Sequence, residues 1–223
     1  MHRLRNEPRA GNGPQTVGLT LHWASEYDIF STVFGLGAKG PNSRMVIELA
    51  KVRPGDKVLD VCCGTGALTL TAKSSAGASG AVYGIDAAPE MIEVARKKAK
   101  KSGLDVVFDV GLIEKIPHPD ATFDVVISRL AIHHLPDDLK RRGFSEIFRV
   151  LKPGGHVLVA DFFSSSTNPV MNHIMSALVG PRMMQNKVWS IAPMLSEAGF
   201  AEVSTGPTRS RFLAFAGGKK PAQ

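Results

Sequence analysis

Cysteine is scarce in this 223-residue chain: there are two, Cys62 and Cys63, and they are neighbours. That excludes a disulfide framework. Adjacent thiols also lack the two-residue gap of a redox pair and the four-ligand spacing of a zinc site, so no metal is expected. The scarcity suits a reducing compartment, and a cytoplasmic location is the expectation. Aromatics are few as well, 7% of residues. They are not interleaved with basic residues, so stacking on single-stranded bases has little support and no nucleic-acid partner is expected. No apolar run approaches the ~18–20 residues that span a bilayer. The start, MHRLRNEPRAGNGPQ, carries positive charge with no apolar segment behind it, which does not suit a secretory leader; residues 1–15 read as a flexible arm. Acidic residues are outnumbered, and the net charge is +7. Much of the excess lies in ARKKAKKSG, residues 95–103. Cations there complement the end of a predicted helix as a solvated face, with peripheral contact to an anionic membrane as the alternative.

What is present is an alternation. KVLDV, AVYGID, DVVFDV, FDVVIS and HVLVAD are β-branched runs, and between them lie helical patterns such as ALTLTAKSSA and APEMIEVARKKAKKSG. Pro89-Glu90 and Gly103 mark the start and stop of the second helix. A further amphipathic helix, PDDLKRRGFSEIFRVL, places Leu139, Ile147 and Leu151 on its inner face. Strand and helix repeated in this way predict the α/β class: a Rossmann-like, mostly parallel sheet with helices on both faces. The chain reads as one domain over 1–223, with a helical cap over 16–53 and a core over 57–161. A Met-rich segment over 164–198 breaks the rhythm, and AEVSTGPTRSRFLAFAGG predicts an antiparallel pair turning at Gly206-Pro207.

The stretch DVCCGTGAL, residues 60–68, is the most informative. Cys62 and Cys63 read as small apolar residues ending a buried strand. Gly64 and Gly66 follow a strand ending in Asp60 and precede a helix, the context that gives Gly-x-Gly its meaning. Bare backbone allows close approach of a ligand, and the helix N-terminus offers free N–H groups to an anion. Asp86 stands at the next strand tip, about 20 residues on, where a carboxylate accepts both hydroxyls of a ribose. The third glycine of a dinucleotide site is replaced by Thr69, and no Arg or Lys in the loop would meet a phosphate. S-adenosylmethionine, with a carboxylate, an ammonium, a sulfonium and a ribose diol but no phosphate, suits these groups.

VLDVCCGTG, VYGIDAAPEMIEVAR, IPHPDATFDVVISRLAIHHL and RVLKPGGHVLVADF together resemble the ordered motifs of class I S-adenosylmethionine-dependent methyltransferases. Within them the chain is similar to the small-molecule branch that contains the ubiquinone/menaquinone C-methyltransferases. The resemblance implies a seven-stranded sheet with its last strand antiparallel. It implies that Asp60, Gly64 and Gly66 hold the methionine part and Asp86 the ribose. Ala87 and Met91 would flank the adenine, Ile113 would meet its edge through the backbone, and Ser128 would lie beside the sulfonium. Tyr27 resembles a cap tyrosine that reaches the cofactor's carboxylate; core packing is the plainer reading of Tyr27 and Met91. One departure stands out: Leu112 occupies the position of an acid that would accept from the adenine amino group.

Methyl transfer asks the protein mainly to align the acceptor and exclude water, with a base only where the acceptor must lose a proton. His133 and His134, just after the fourth strand, are the candidates for that base. Arg129 is the candidate for holding an anionic or enolate-like substrate. Met171, Met175, Met183 and Met184, with Trp189, form either a soft wall for a lipidic or aromatic acceptor or ordinary helix packing. The expected partner is a small molecule, a quinone precursor or phospholipid-like head group, met at a membrane surface. A non-catalytic S-adenosylmethionine-binding regulator and a nucleotide-dependent oxidoreductase are the competing readings.

Overall fold

The computed structural model describes residues 40–163, 188–210 and 213–222. Helix α1 (Pro41–Leu49) leads into strand β1 (Lys57–Val61), helix α2 (Ala67–Ala76), β2 (Ala81–Asp86), α3 (Pro89–Ser102) and β3 (Val107–Val110). Then come β4 (Phe123–Arg129), a 3-10 turn (Ile132–His134), α4 (Asp137–Val150) and β5 (Leu151–Phe162). A second 3-10 turn (Val188–Ser190), α5 (Ile191–Glu197), β6 (Ala201–Pro207) and β7 (Leu213–Lys219) close the order. Among the described residues no helix is long and apolar enough to cross a membrane.

The seven strands form one sheet in the order β3-β2-β1-β4-β5-β7-β6. β1 pairs in parallel with β2 and β4, and β4 in parallel with β5, whereas β7 runs antiparallel to both of its neighbours. The expected sheet, with its antiparallel last strand, is found. Two boundaries differ from expectation. Leu151 opens β5 instead of closing α4, because its backbone pairs with Phe123. Gly206 and Pro207 lie within β6, paired with Phe215 and Ala214, so the hairpin turns after them.

The pleat explains why the strands read as continuous apolar runs. Leu59, Val61, Val126, Val157 and Val159 face α4 and α5, while Val58, Val125, Ile127, Leu158 and Ala160 face α1 and α2. Successive residues are therefore both buried, as both faces of a central parallel strand must be. The order β2-β1-β4 makes β1/β4 the point where the winding reverses, and the crevice outside the carboxyl ends of those strands is where such sheets take ligands.

Two further contacts set the walls of that crevice. The loop between β3 and β4 is pinned from α4 by Arg149. Its guanidinium donates to the carbonyls of Ile116 and His118 and to the carboxylates of Glu146 and Asp120. The ring of Phe108 on β3 packs onto bare backbone at Gly66 and Gly84, where a Cβ would come within 2.7 and 2.8 Å of ring carbons.

Gly66 also has a φ of +77°. Gly66→Ala is therefore expected to destabilise the fold by about 2 kcal/mol or more. Phe108→Leu in the same background should recover part of that loss, giving a coupling of about 1 kcal/mol in a urea-unfolding double-mutant cycle. Strictly additive costs would show that the ring is not what demands the glycine.

Candidate functional site

The loop from β1 to α2 alternates in handedness. Cys62, Gly64 and Gly66 have φ values of +56°, +53° and +77°, and Cys63 and Thr65 between them do not. Alternation of this kind turns successive N–H groups towards one side. The Gly64 N–H meets Asp86 Oδ2 at 2.9 Å, and the Ala88 N–H meets Asp86 Oδ1, also at 2.9 Å. One carboxylate thus joins the loop after β1 to the turn after β2. Each of its oxygens keeps lone-pair capacity for a further donor. Burial raises the Asp86 pKa, and the amides of Ala88 and Gly64 oppose that rise.

Asp60 is different. It is 1% exposed, and its Oδ2 accepts from Thr69 Oγ1 at 2.6 Å. Burial pushes its carboxyl up to about 7, against the Thr69 hydrogen bond and the positive field of Arg129. Arg129 itself donates to Ser43 Oγ on α1 at 2.6 Å. A buried carboxyl with so high a pKa has no full counter-charge, and a cation placed beside it would be strongly favoured.

The two thiols diverge. Cys63 packs with Leu70, Ile92 and Phe108, and Cys62 with the cluster under α4. Both are free, and burial raises both thiol pKa values well above the ordinary range, which makes them poor nucleophiles and poor ligands. Cys62 occupies a left-handed conformation that costs a non-glycine residue about 1 kcal/mol.

At the end of β4, Ser128 is fully buried and its hydroxyl donates to Val61 O at 3.0 Å, so the side chain ties β4 to β1 rather than reaching outward. His133 lies in the following turn. Its backbone N–H and its ring Nδ1 both meet Asp161, at the end of β5, at 2.9 and 2.6 Å. His134 stacks on His133 with ring centroids 3.9 Å apart, and burial, helped by His133, lowers its pKa to about 4.

On the other side, Ala87 is half-buried, and Met91 is 3% exposed and packs with Ala88 and Val94. Ile113 turns its side chain into the core, and its neighbour Leu112 is half-buried. The loop with Leu112 is tied back to β2 by the Gly111 N–H on Asp86 O at 3.0 Å. Tyr27, Met171, Met175, Met183 and Met184 lie outside the described residues, as do most of the expected cap and of the segment over 164–198. Trp189 is 37% exposed and meets Phe163 edge-on.

Three contributors were not expected. Thr69, the residue that spoils a dinucleotide pattern, is the donor to Asp60. Asp161 sat in a strand read only for its hydrophobicity. The basic run of α3 is not wholly a solvated face: Lys98 Nζ reaches Thr65 Oγ1 in the loop at 2.9 Å, and Arg96 caps the carbonyl of Phe108.

Residues 58–155 match a family model described as a methyltransferase domain. The chain is 33% identical over 150 residues to a demethylmenaquinone methyltransferase of Lactobacillus johnsonii, covering 66% of this chain and 60% of that protein. It is 34% identical over 175 residues to an arsenite methyltransferase of Halobacterium salinarum, covering 78% and 43%. The chain thus spans about half the length of these curated relatives. Among solved structures, a SAM-dependent methyltransferase from Aquifex aeolicus superposes with a TM-score of 0.70 at 22% identity, covering 88% of this chain and 96% of that one.

The Asp60 carboxyl gives a stability signature. Between about pH 4 and 7 Asp60 is protonated in the folded chain and ionised in the unfolded one, so the stability it supplies in acid is lost as pH rises through about 7. The wild type is expected to lose ~2–4 kcal/mol more than Asp60→Asn between pH 4.5 and 7.5. Parallel stability curves for the two proteins, from urea unfolding across that range, would contradict the assignment.

Proposed function

We propose that the chain, whose residues 58–155 match a methyltransferase-domain model, is a class I S-adenosylmethionine-dependent methyltransferase acting on a small lipidic aromatic acceptor of the hydroquinone type. One observation carries this reading: two carboxyls of opposite character at neighbouring strand tips. Asp86, fixed by two amides, presents lone pairs to a ribose diol. Asp60, buried and short of a counter-charge, suits an amino acid's ammonium. Ala87, Met91 and the Ile113 backbone would flank the base, and Leu112 would offer it apolar contact only.

When bound, the cofactor supplies a methyl group on a sulfonium, an electrophile with its leaving group built in. The protein's work is then to hold the acceptor in line and keep water out. The likeness to a demethylmenaquinone methyltransferase supports a hydroquinone acceptor. The exposed Trp189 beside Phe163, where the Met-rich segment rejoins the described fold, supports an aromatic one. The likeness to an arsenite methyltransferase is balanced by the thiols. A soft metalloid calls for converging thiolates, and the chain's two cysteines face different clusters. A lipidic acceptor and the net charge of +7 support peripheral contact with an anionic membrane.

Calorimetry should show S-adenosylmethionine binding, with proton release near pH 6.5 as Asp60 ionises against the ammonium. Asp86→Ala should weaken binding about 100-fold, the scale of two lost charge-assisted hydrogen bonds. Mass spectrometry should then find one methyl added to demethylmenaquinol. Binding without transfer to any hydroquinone would make the chain a cofactor-binding regulator, and binding of a nicotinamide dinucleotide instead would make it an oxidoreductase.

A further inference from the structure

We propose that His133 accepts the acceptor's proton during methyl transfer and that Asp161 is the positioning residue that readies it. This rests on the methyl-transfer reading above and adds to it a role for two residues.

The geometry runs from Asp161 outward. Its Oδ2 accepts the His133 N–H at 2.9 Å and its Oδ1 accepts the Phe162 N–H at 2.7 Å. With both oxygens already acting as acceptors, the hydrogen in the 2.6 Å contact between Oδ1 and the His133 ring belongs to Nδ1. Nε2 then carries a lone pair. It is buried and, among the described residues, has no hydrogen-bond partner, in a side chain that is 2% exposed. A ring needed only to tie the turn to β5 would be complete at Nδ1, and the backbone N–H already makes that tie. What is left over is an oriented acceptor that no described residue uses.

Burial without a partner is not sufficient by itself. His118 Nε2 shares it, but that ring sits edge-on between Tyr83 and Phe123 in an aromatic cluster and has no carboxylate on its other nitrogen. His133 differs in having Asp161 behind it and in standing at the carboxyl end of β4. That strand end is joined to the loop by the Ser128 bond to Val61 O, and the field of Asp161 reaches Cys62 within the loop. His134 covers the ring and does not compete, since a pKa of about 4 leaves it a weak base.

The step balances as follows. The acceptor's electron pair, on a hydroxyl oxygen or relayed through an aromatic ring to carbon, forms the bond to the methyl carbon. On the carbon route the ring C–H bond then breaks and a proton returns to the oxygen, which restores the aromatic ring and leaves one proton released in total. The methyl–sulfur bond breaks with its pair going to sulfur, leaving a neutral thioether. One proton per methyl passes from the acceptor to Nε2, and Asp161 stabilises the resulting imidazolium, as a carboxylate behind a histidine does in other proton transfers. The class of acceptor implied is one with an acidic hydroxyl, rather than a neutral amine that needs no base.

The test uses the full chain labelled with ¹⁵N-histidine and saturated with S-adenosylhomocysteine. His133 is expected as the Nδ1–H tautomer. Phenol, the smallest hydroxyl-bearing fragment of such an acceptor, should move the Nε2 resonance towards the protonated position, and anisole, which has no proton to give, should not. Asp161→Asn should reverse the tautomer and lower turnover about 100-fold or more, with cofactor affinity changed less than about threefold. An Nε2–H tautomer in the wild type, no response to phenol, or an equal response to anisole would overturn the proposal. Each of those outcomes, seen with the homocysteine product bound, would leave the cofactor reading standing; absence of that binding would remove the cofactor reading itself.

Discussion

The Asp86 carboxylate is the interaction on which the site depends. A parallel strand ends without a partner for its last amides, and β1 and β2 end side by side. By accepting from Gly64 and from Ala88, one side chain satisfies an amide from each turn and sets the distance between them. The same two bonds hold the carboxylate in a single orientation, so a diol arriving from outside meets lone pairs that are already aimed. Pre-organisation of this kind costs entropy during folding rather than at binding. It also explains the handedness of the loop: an alternating chain from Cys62 to Gly66 turns the Gly64 amide inward, and Cys62 bears about 1 kcal/mol of strain so that it can.

Asp86 stands close enough to raise the Asp60 pKa, yet the environments of the two acids separate them. Asp86 is stabilised by amides of two turns; Asp60 has Thr69 as its hydrogen-bond donor and a guanidinium that also donates to Ser43. Two acids with unlike surroundings can do unlike work, one accepting hydrogen bonds and the other awaiting a positive charge. A protonated acid is tolerable where it is buried, and it would become a carboxylate where a cation made that favourable.

Much of this was legible in the sequence. The glycine pair after a strand, followed by an acid at the next strand tip, is a local pattern, and it falls at the ends of neighbouring strands, where the Gly64 amide donates to Asp86. The β-branched runs were equally plain, because both faces of the central strands are buried and the residues show it. What could not be read were effects of contact across the sheet. Gly66 is a glycine because Phe108, from β3, occupies the space of its Cβ, and nothing near Gly66 in sequence announces Phe108. Asp161 meets His133 only because β4 and β5 pair in a particular register, which periodicity does not define. The hairpin was placed too early, since Gly-Pro is a strong turn signal that an edge strand such as β6 can absorb.

Division of labour follows from where each group sits. The loop side of the crevice is nearly bare of side chains that could act as bases: its thiols have raised pKa values, Asp60 is turned to Thr69, and Asp86 is held by amides. The β4 and β5 side carries the opposite arrangement, a ring with one nitrogen engaged and one unsatisfied. A reaction needing a fixed electrophile and a mobile proton would be badly served by mixing these functions, because a base beside a sulfonium would compete for the methyl group. Keeping Nε2 at the strand end, backed by Asp161 and shielded by a neutral His134, separates the proton's route from the methyl's. On the proposed reading the Leu112 departure is a lesser matter: it would cost one hydrogen bond to the base of the nucleoside, while Asp86, held by its two amides, would still anchor the ribose.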